Sequence, residues 1–117
     1  MASEKLHEEQ TDLPEKTIDA HRAFISLIEE LDAVDWYNQR AAATDDQHLM
    51  KILIHNRDEE IEHACMLLEW IRRTQEGWDE KLKTYLFEKE EITELEEEDD
   101  QQSGQDLEIG KIRKKEG

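Results

Sequence analysis

The sequence predicts an all-α fold: an antiparallel two-helix hairpin and a short C-terminal helix, with two chains dimerising into a four-helix bundle. Apolar residues recur every three or four positions in two long segments, which is the period of a helix and not of a strand. The segment between them, residues 43–46, has the composition of a turn. Only 36% of the 117 residues are apolar and 40% are charged. One hairpin of this composition cannot cover its own apolar stripe, so we expect a second copy to cover it.

The first long helix is predicted to begin near Asp12 or Thr17 and to end at about Ala42. Pro14 suits the first turn of a helix, because the N–H that proline lacks would have no partner there. The apolar stripe of this helix comprises Ala20, Ala23, Phe24, Leu27, Ile28, Leu31, Val34 and Tyr37.

The second long helix is predicted to run from about Asp46 to Arg73. Asp46 is a favourable N-cap residue, and the positive charges of Arg72 and Arg73 suit the negative end of the helix dipole. The apolar stripe of this helix comprises Leu49, Ile52, Leu53, Met66, Leu67 and Trp70.

The chain divides into segments of different composition. Gly77 is a favourable helix stop, and a third helix is predicted from Trp78 to about Phe87. We expect a disordered N-terminus over residues 1–13 and a helical hairpin domain over residues 14–87. Residues 88–106 are predicted to form an acidic flexible linker. Residues 88–100 hold nine acids and one Lys, and since like charges repel one another we expect a solvated linker or a frayed helix there, and not a metal-binding tail.

Composition excludes several classes of protein. The net charge of −17 makes nucleic acid an unfavourable partner, because its recognition needs basic patches. No segment approaches the roughly 18 apolar residues of a membrane span, and the N-terminus lacks the apolar core of a signal peptide. The lone Cys65 cannot form a disulfide within the chain, so a cytoplasmic location is expected. We expect Cys65 to be a packed thiol that faces away from the apolar stripe.

Polar residues interrupt both apolar stripes at positions where a charge would be costly to bury. Glu30 fills the gap between Leu27 and Val34, and Glu60 and His63 fill the gap in the second helix. Because Glu60 and His63 are three residues apart, their side chains project from the same face. Glu-x-x-His on one helix and Glu on another form half of a ferritin-like dinuclear carboxylate centre, which two chains would complete.

Carboxylate and imidazole ligands together favour Fe²⁺ or Mn²⁺, whereas structural zinc sites prefer thiolates. Two neighbouring Fe²⁺ ions can pass two electrons to O₂, so ferroxidation is the predicted reaction. A different interpretation stays open at this point. A salt-bridge network around Arg40 and Arg57 would place the same residues on a solvated seam or a purely structural dimer interface.

Three stretches resemble the encapsulated ferritins: HRAFISLIEELDAVDWYNQR (residues 21–40), HNRDEEIEHACMLLEWIRR (residues 55–73) and LKTYLF (residues 82–87). The resemblance implies a helical hairpin that dimerises around a di-iron ferroxidase site, with five dimers closing into a homodecameric ring. It also implies that the Fe²⁺/Fe³⁺ ligands are Glu30, Glu60 and His63.

The resemblance implies an outer entry site for metal as well, formed by Glu29 and Asp32 beside Trp36, where Ca²⁺ or another divalent cation would bind. Asp32 is one methylene shorter than the Glu usual in the family. Tyr37 lies on the same side as Glu30, and three roles stay open for it: a hydrogen bond to a ligand carboxylate, electron donation, or ordinary packing in the core.

The C-terminal residues 107–117 resemble an encapsulin cargo-loading peptide, with residues 107–114 expected to bind the shell protein. The protein would then store iron in the lumen of an encapsulin nanocompartment. Two other functions stay open. The first is a non-catalytic metal-binding scaffold or cargo adaptor, and the second is a dinuclear enzyme that activates O₂ for an organic substrate, which would need an apolar pocket beside the metals.

Overall fold

The computed structural model describes residues 6–101, and all regular secondary structure in that range is helical. The chain divides into two compact units, the first ending at Gln75 and the second beginning at Glu76. The first unit contains a 3₁₀-helix, Gln10–Asp12, and the long helices α1, Glu15–Ala43, and α2, Gln47–Thr74. The predicted all-α class is therefore confirmed.

Helix α1 begins directly after Pro14, the N-cap residue, which has the extended φ of −60° and ψ of 151°. The helix ends at Ala43, where the N–H of Thr44 donates to the carbonyl of Arg40 over 3.1 Å. Both ends agree with the predicted ones within the variation that is usual for helix termini.

Helix α2 is fixed at its start by a side-chain cap. One carboxylate oxygen of Asp46, Oδ1, accepts hydrogen bonds from the backbone N–H groups of His48 at 2.9 Å and Leu49 at 3.1 Å. These two N–H groups would otherwise lack a partner in the first turn. The predicted turn and N-cap are confirmed, and the connection is only three residues long, so α2 folds back along α1 as an antiparallel hairpin.

The interior of the hairpin is built largely from small residues. Ile71 alone among the described residues has a large side chain that is fully buried, and alanines allow the two helix backbones to approach closely. Several large apolar residues of α2 are left exposed, among them Met66 at 60% and Ile52 at 56%. The buried residues of the hairpin are Ile18, Ala20, Ala23, Ala41, Ala64 and Ile71.

The second unit contains α3, Trp78–Tyr85, and a further helical segment over residues 92–101. This segment lies within the predicted acidic linker, and of the two conformations expected there, an extended chain or a frayed helix, it has the helical one. Leu95 is buried in this unit, and Asp99 forms an ion pair of 2.7 Å with Lys81 and accepts a hydrogen bond of 3.1 Å from Thr84. These contacts hold the acidic segment against α3, while its role as a linker stays a prediction.

None of the helices in the described range is both long and apolar enough to cross a membrane. Residues 1–5 of the predicted N-terminal segment and the whole of the predicted shell-binding peptide, residues 107–114, lie outside the described residues.

Candidate metal centre

Three predicted ligands come together in the middle of the hairpin. Glu30, Glu60 and His63 each offer one ligand atom, and these three atoms all lie within 4.8 Å of one another. Nδ1 of His63 is 3.6 Å from Oε2 of Glu30 and 3.6 Å from Oε2 of Glu60. These distances leave space for a cation among the three atoms, and they exceed hydrogen-bond length.

The two helices position these side chains in different ways. Glu60 and His63 are adjacent because residues three apart on a helix are neighbours on its surface. Glu30 comes from the other helix and reaches the pair because the short turn between α1 and α2 sets their register. The cluster is half-buried: the side chains of Glu30 and Glu60 are 23% and 25% exposed, and that of His63 is 44% exposed.

The electrostatics of Glu30 fit a cation-binding role. Its Oε2 is buried and has no hydrogen-bond partner. The pKa of Glu30 is raised from its ordinary value, first because the facing Glu60 carboxyl can share a proton with it, and then because burial disfavours its charge. A metal ion would satisfy the unpaired oxygen and neutralise both carboxylates, so the residues present fit a metal.

Two arginines that could have neutralised the cluster are occupied elsewhere. Arg57 donates from Nη1 to Oδ1 of Asn38 over 3.2 Å, and from Nε and Nη2 to Oδ1 of Asp58 over 3.1 and 2.9 Å. The guanidinium of Arg40 lies over the ring of Tyr37, 5.7 Å from its centroid. The salt-bridge network that the sequence left open is thus not how Glu30 and Glu60 are held in this protomer.

Comparison with known proteins places the chain in a family. The family model described as EncFtn-like matches residues 5–89. The chain belongs to the EncFtn-like family. This match spans the predicted hairpin domain and the three residues of the candidate metal centre.

Individual relatives agree with the family assignment of this EncFtn-like chain. It is 51% identical over 113 residues to a ferritin-like protein of Thermotoga maritima, and the alignment covers 94% of this chain and 99% of the relative. It is 53% identical over 95 residues to an encapsulated ferritin-like protein of Rhodospirillum rubrum, and that alignment covers 81% of this chain and 68% of the relative. A crystal structure of a Nitrosomonas europaea protein matches with a TM-score of 0.72 and 56% identity, and covers 74% of this chain and 96% of that one.

The residues predicted to form the entry site lie on α1 beside the candidate metal centre. Glu29 is exposed, Asp32 is half-buried and Trp36 is 51% exposed. Their spacing of three and four residues places them on one face of the helix. The entry-site role of Glu29 and Asp32 stays a prediction.

The remaining predicted residues have mixed outcomes. Tyr37 is half-buried and has the cation–π contact with Arg40, while its part in catalysis stays a prediction. His55 was not among the predicted ligands, and its imidazole lies 3.5 Å from Glu59, one turn away on the surface of α2, which is the pairing that their spacing favours. Cys65 is exposed in the protomer, so the expectation of a packed thiol was wrong. The helical period turns Cys65 away from the hairpin interior, and no other helix of the first unit covers that side.

Sequence reasoning missed the side-chain contacts of Asn38 and Asp58. Asp58 directly follows Arg57, so an ion pair between them could have been anticipated from the sequence. Asn38 belongs to the other helix, and its contact with Arg57 depends on the register of the hairpin, which no local pattern encodes.

A cavity in the first unit lies away from the metal centre. It has a volume of about 640 Å³, and its wall includes Lys16, Phe24, Trp70 and Thr74, at the end of the hairpin opposite the turn. None of its lining residues belongs to the cluster of Glu30, Glu60 and His63. It is therefore not the apolar pocket beside the metals that oxidation of an organic substrate would require.

Proposed function

We propose that this protein is a ferroxidase that oxidises Fe²⁺ to Fe³⁺ with O₂ at a di-iron site formed between two subunits. The observation that carries the proposal is the cluster of Glu30, Glu60 and His63, whose ligand atoms lie within 4.8 Å of one another. Carboxylates with imidazole suit iron, and the family membership independently supports a ferritin-like role.

Iron is the substrate in this proposal, and the chain's own residues bind and orient it. The carboxylates of Glu30 and Glu60 would neutralise the charge of the ions, and a carboxylate can bridge two of them. Two Fe²⁺ ions would lose one electron each, and O₂ would take up these two electrons and two protons from solvent to give H₂O₂ and two Fe³⁺. His63 would contribute a neutral nitrogen ligand through Nδ1, the atom that faces both carboxylates.

A single chain supplies only part of the ligand set of a dinuclear centre. Ferritin-like centres use two helices with a lone Glu and two with Glu-x-x-His, and this chain has one of each. A second copy would provide the other half. Exposed apolar residues on the same face of α2 as His63 support that arrangement, because an apolar surface of this kind is typical of an interface. They are Leu49, Ile52, Met66 and Trp70.

The acidic surface of α1 would deliver the substrate. Glu29 and Asp32 lie within two residues of Glu30 and would attract Fe²⁺, Ca²⁺ or another divalent cation to the entrance. The shorter side chain of Asp32 would change the affinity of that outer site relative to a Glu.

The test is O₂-dependent oxidation of Fe²⁺, followed by absorbance and O₂ consumption against a protein-free background. We expect Glu60→Gln and His63→Ala to reduce the rate on the order of tenfold or more, because each removes a metal ligand. Glu62→Gln is the matched control, since Glu62 is exposed on the same helix and about 200° around it.

An unchanged rate in Glu60→Gln would refute the site. The non-catalytic scaffold would be supported instead by two results together: the wild-type protein binds metal but consumes no O₂, and Glu60→Gln no longer binds metal.

We further propose that the protein acts inside an encapsulin shell as part of a homodecamer, with residues 107–114 binding the shell protein. Support comes from the Rhodospirillum rubrum relative, which is an encapsulated ferritin-like protein, and from the apolar and basic composition of the segment. A variant lacking residues 107–117, co-expressed with the encapsulin, should oxidise Fe²⁺ normally but no longer co-purify with shells. Co-purification at the wild-type level would assign shell binding to another part of the chain.

A further inference from the structure

We propose that Asp58 and Asn38 act as a tether that holds the guanidinium of Arg57 away from Glu60 and so leaves the metal centre free of a competing internal cation. This inference rests on the proposed metal-binding function of Glu30, Glu60 and His63. It gives a role to residues that lie outside the predicted ligand set.

The sequence places an arginine, Arg57, where it could compete with a metal ion for the carboxylate of Glu60. Arg57 lies three residues before Glu60 and His63 lies three residues after it, so the two flank Glu60 on either side of the same helix face. Arg and Glu at this spacing commonly form an ion pair on a helix. Such a pair would place a positive charge at the carboxylate that a metal ion must bind.

Each of the three guanidinium nitrogens of Arg57 donates a hydrogen bond to a residue other than Glu60. Nε and Nη2 both donate to one oxygen of Asp58, and Nη1 donates across the hairpin to Asn38. Glu60 instead faces His63 at 3.6 Å. Oε2 of Glu30 is left without a hydrogen-bond partner, as expected of a ligand kept vacant for a cation.

The tether has a defined energetic basis. The Arg57 side chain is 31% exposed and that of Asp58 is 59% exposed, so each contact alone is weak. A charge-assisted hydrogen bond is stronger than a neutral one, and the contact to Asn38 fixes the direction of the guanidinium. Without Asp58, the nearest carboxylate on the same helix face is that of Glu60.

The proposal predicts a non-additive mutant cycle in the affinity for Zn²⁺, a redox-inert probe, measured by calorimetry on the full-length protein. We expect Asp58→Ala to weaken Zn²⁺ binding about fivefold, or about 1 kcal/mol, because it removes the acceptor of two hydrogen bonds and the released Arg57 competes for Glu60. Arg57→Met alone should change the affinity less than about twofold, whereas Arg57→Met added to Asp58→Ala should recover the affinity that Asp58→Ala loses. Asp35→Ala is the matched control, because it removes the same side chain and charge from an exposed position of α1.

A general charge effect would give a different pattern. If only the summed charge mattered, Arg57→Met would improve the affinity equally in both backgrounds, and that additivity would overturn the tether. Wild-type affinity in Asp58→Ala would overturn it as well. The proposed metal site fails separately: it is wrong if the wild-type protein binds no Zn²⁺ or if Glu60→Gln binds it as tightly as wild type does.

Discussion

A carboxylate on the apolar side of a helix needs a compensating partner, and Glu30 lacks one within the protomer. Its Oε2 is buried and unpaired, and its neighbours are another carboxylate and an imidazole. Glu69, on the same hairpin, shows the opposite arrangement. It receives hydrogen bonds of 2.6 and 2.7 Å from Arg72 and one of 2.6 Å from Arg73. Glu69 is therefore held by two arginines, whereas the candidate metal ligand Glu30 faces a carboxylate and an imidazole.

The arginines around Glu69 predict a pH-dependent contribution to stability. The hydrogen bonds from Arg72, followed by those from Arg73, lower the pKa of Glu69 from 4.5 to about 2. Folding is favoured wherever unfolded Glu69 would bind more protons than folded Glu69 does. The free energy of unfolding lost in Glu69→Gln should thus be constant above about pH 5 and shrink as the pH falls from 4.5 towards 2.

Urea unfolding of the wild-type protein and Glu69→Gln at a series of pH values, at one protein concentration, measures this difference. A difference that stays constant from pH 6 to pH 2 would show that the ion pairs of Glu69 do not form in solution.

The sequence alone predicted which three residues form the candidate metal centre, because the helical period assigns Glu30, Glu60 and His63 to the faces where apolar residues are expected. The environment of Cys65 was wrongly predicted, since periodicity gives the direction of a side chain but does not say whether anything covers it. The contact between Arg57 and Asn38 was also beyond prediction, because it joins two helices whose register depends on the whole packed interface.

At the level of the helices, local signals were sufficient to find the ends. Pro14 and Asp46 lie directly before α1 and α2. Proline has no N–H that would need a partner at the start of a helix, and the side chain of Asp46 accepts hydrogen bonds from the first turn of α2. The acidic segment was harder to predict. Its like charges favour an extended chain, but buried Leu95 and the contacts of Asp99 stabilise a helix over residues 92–101. These contacts are made within the folded second unit and have no signature in local composition.

Removing the cap of α2 tests how much that local signal contributes. Asp46→Ala should lower the free energy of unfolding by about 1 kcal/mol, because the N–H groups of His48 and Leu49 lose their acceptor. Asp46→Asn is the control and should retain most of the stability, since its side-chain oxygen can still accept. Thermal or urea unfolding compares the three proteins, and equal stability of Asp46→Ala and wild type would mean that the cap is dispensable.

At the scale of the whole molecule, the hairpin has a thin interior and a large apolar exterior. Two of the three candidate ligands and an exposed apolar surface lie on α2, which is the combination expected of a subunit that shares its site with a second copy. Assembly and activity should therefore be lost together when the interface is disrupted.

Met66→Glu tests this coupling without altering a ligand. Met66 is 60% exposed and lies one turn from His63, so a charge there should oppose burial in a dimer interface and lower both the mass of the assembly and the rate of Fe²⁺ oxidation. Ile61→Glu is the control: Ile61 is also exposed, but it lies about 160° around the helix from His63. Light scattering and oxidation assays on both variants make the comparison, and a fully active monomer of Met66→Glu would separate activity from assembly.

The most direct measurement is the rate of Fe²⁺ oxidation per chain across a dilution series in which the molecular mass is measured on the same samples. If two chains must meet to complete the centre, the rate per chain should fall in proportion to the fraction of protein present as monomer. A monomeric sample that oxidises Fe²⁺ at the full rate per chain would contradict the account.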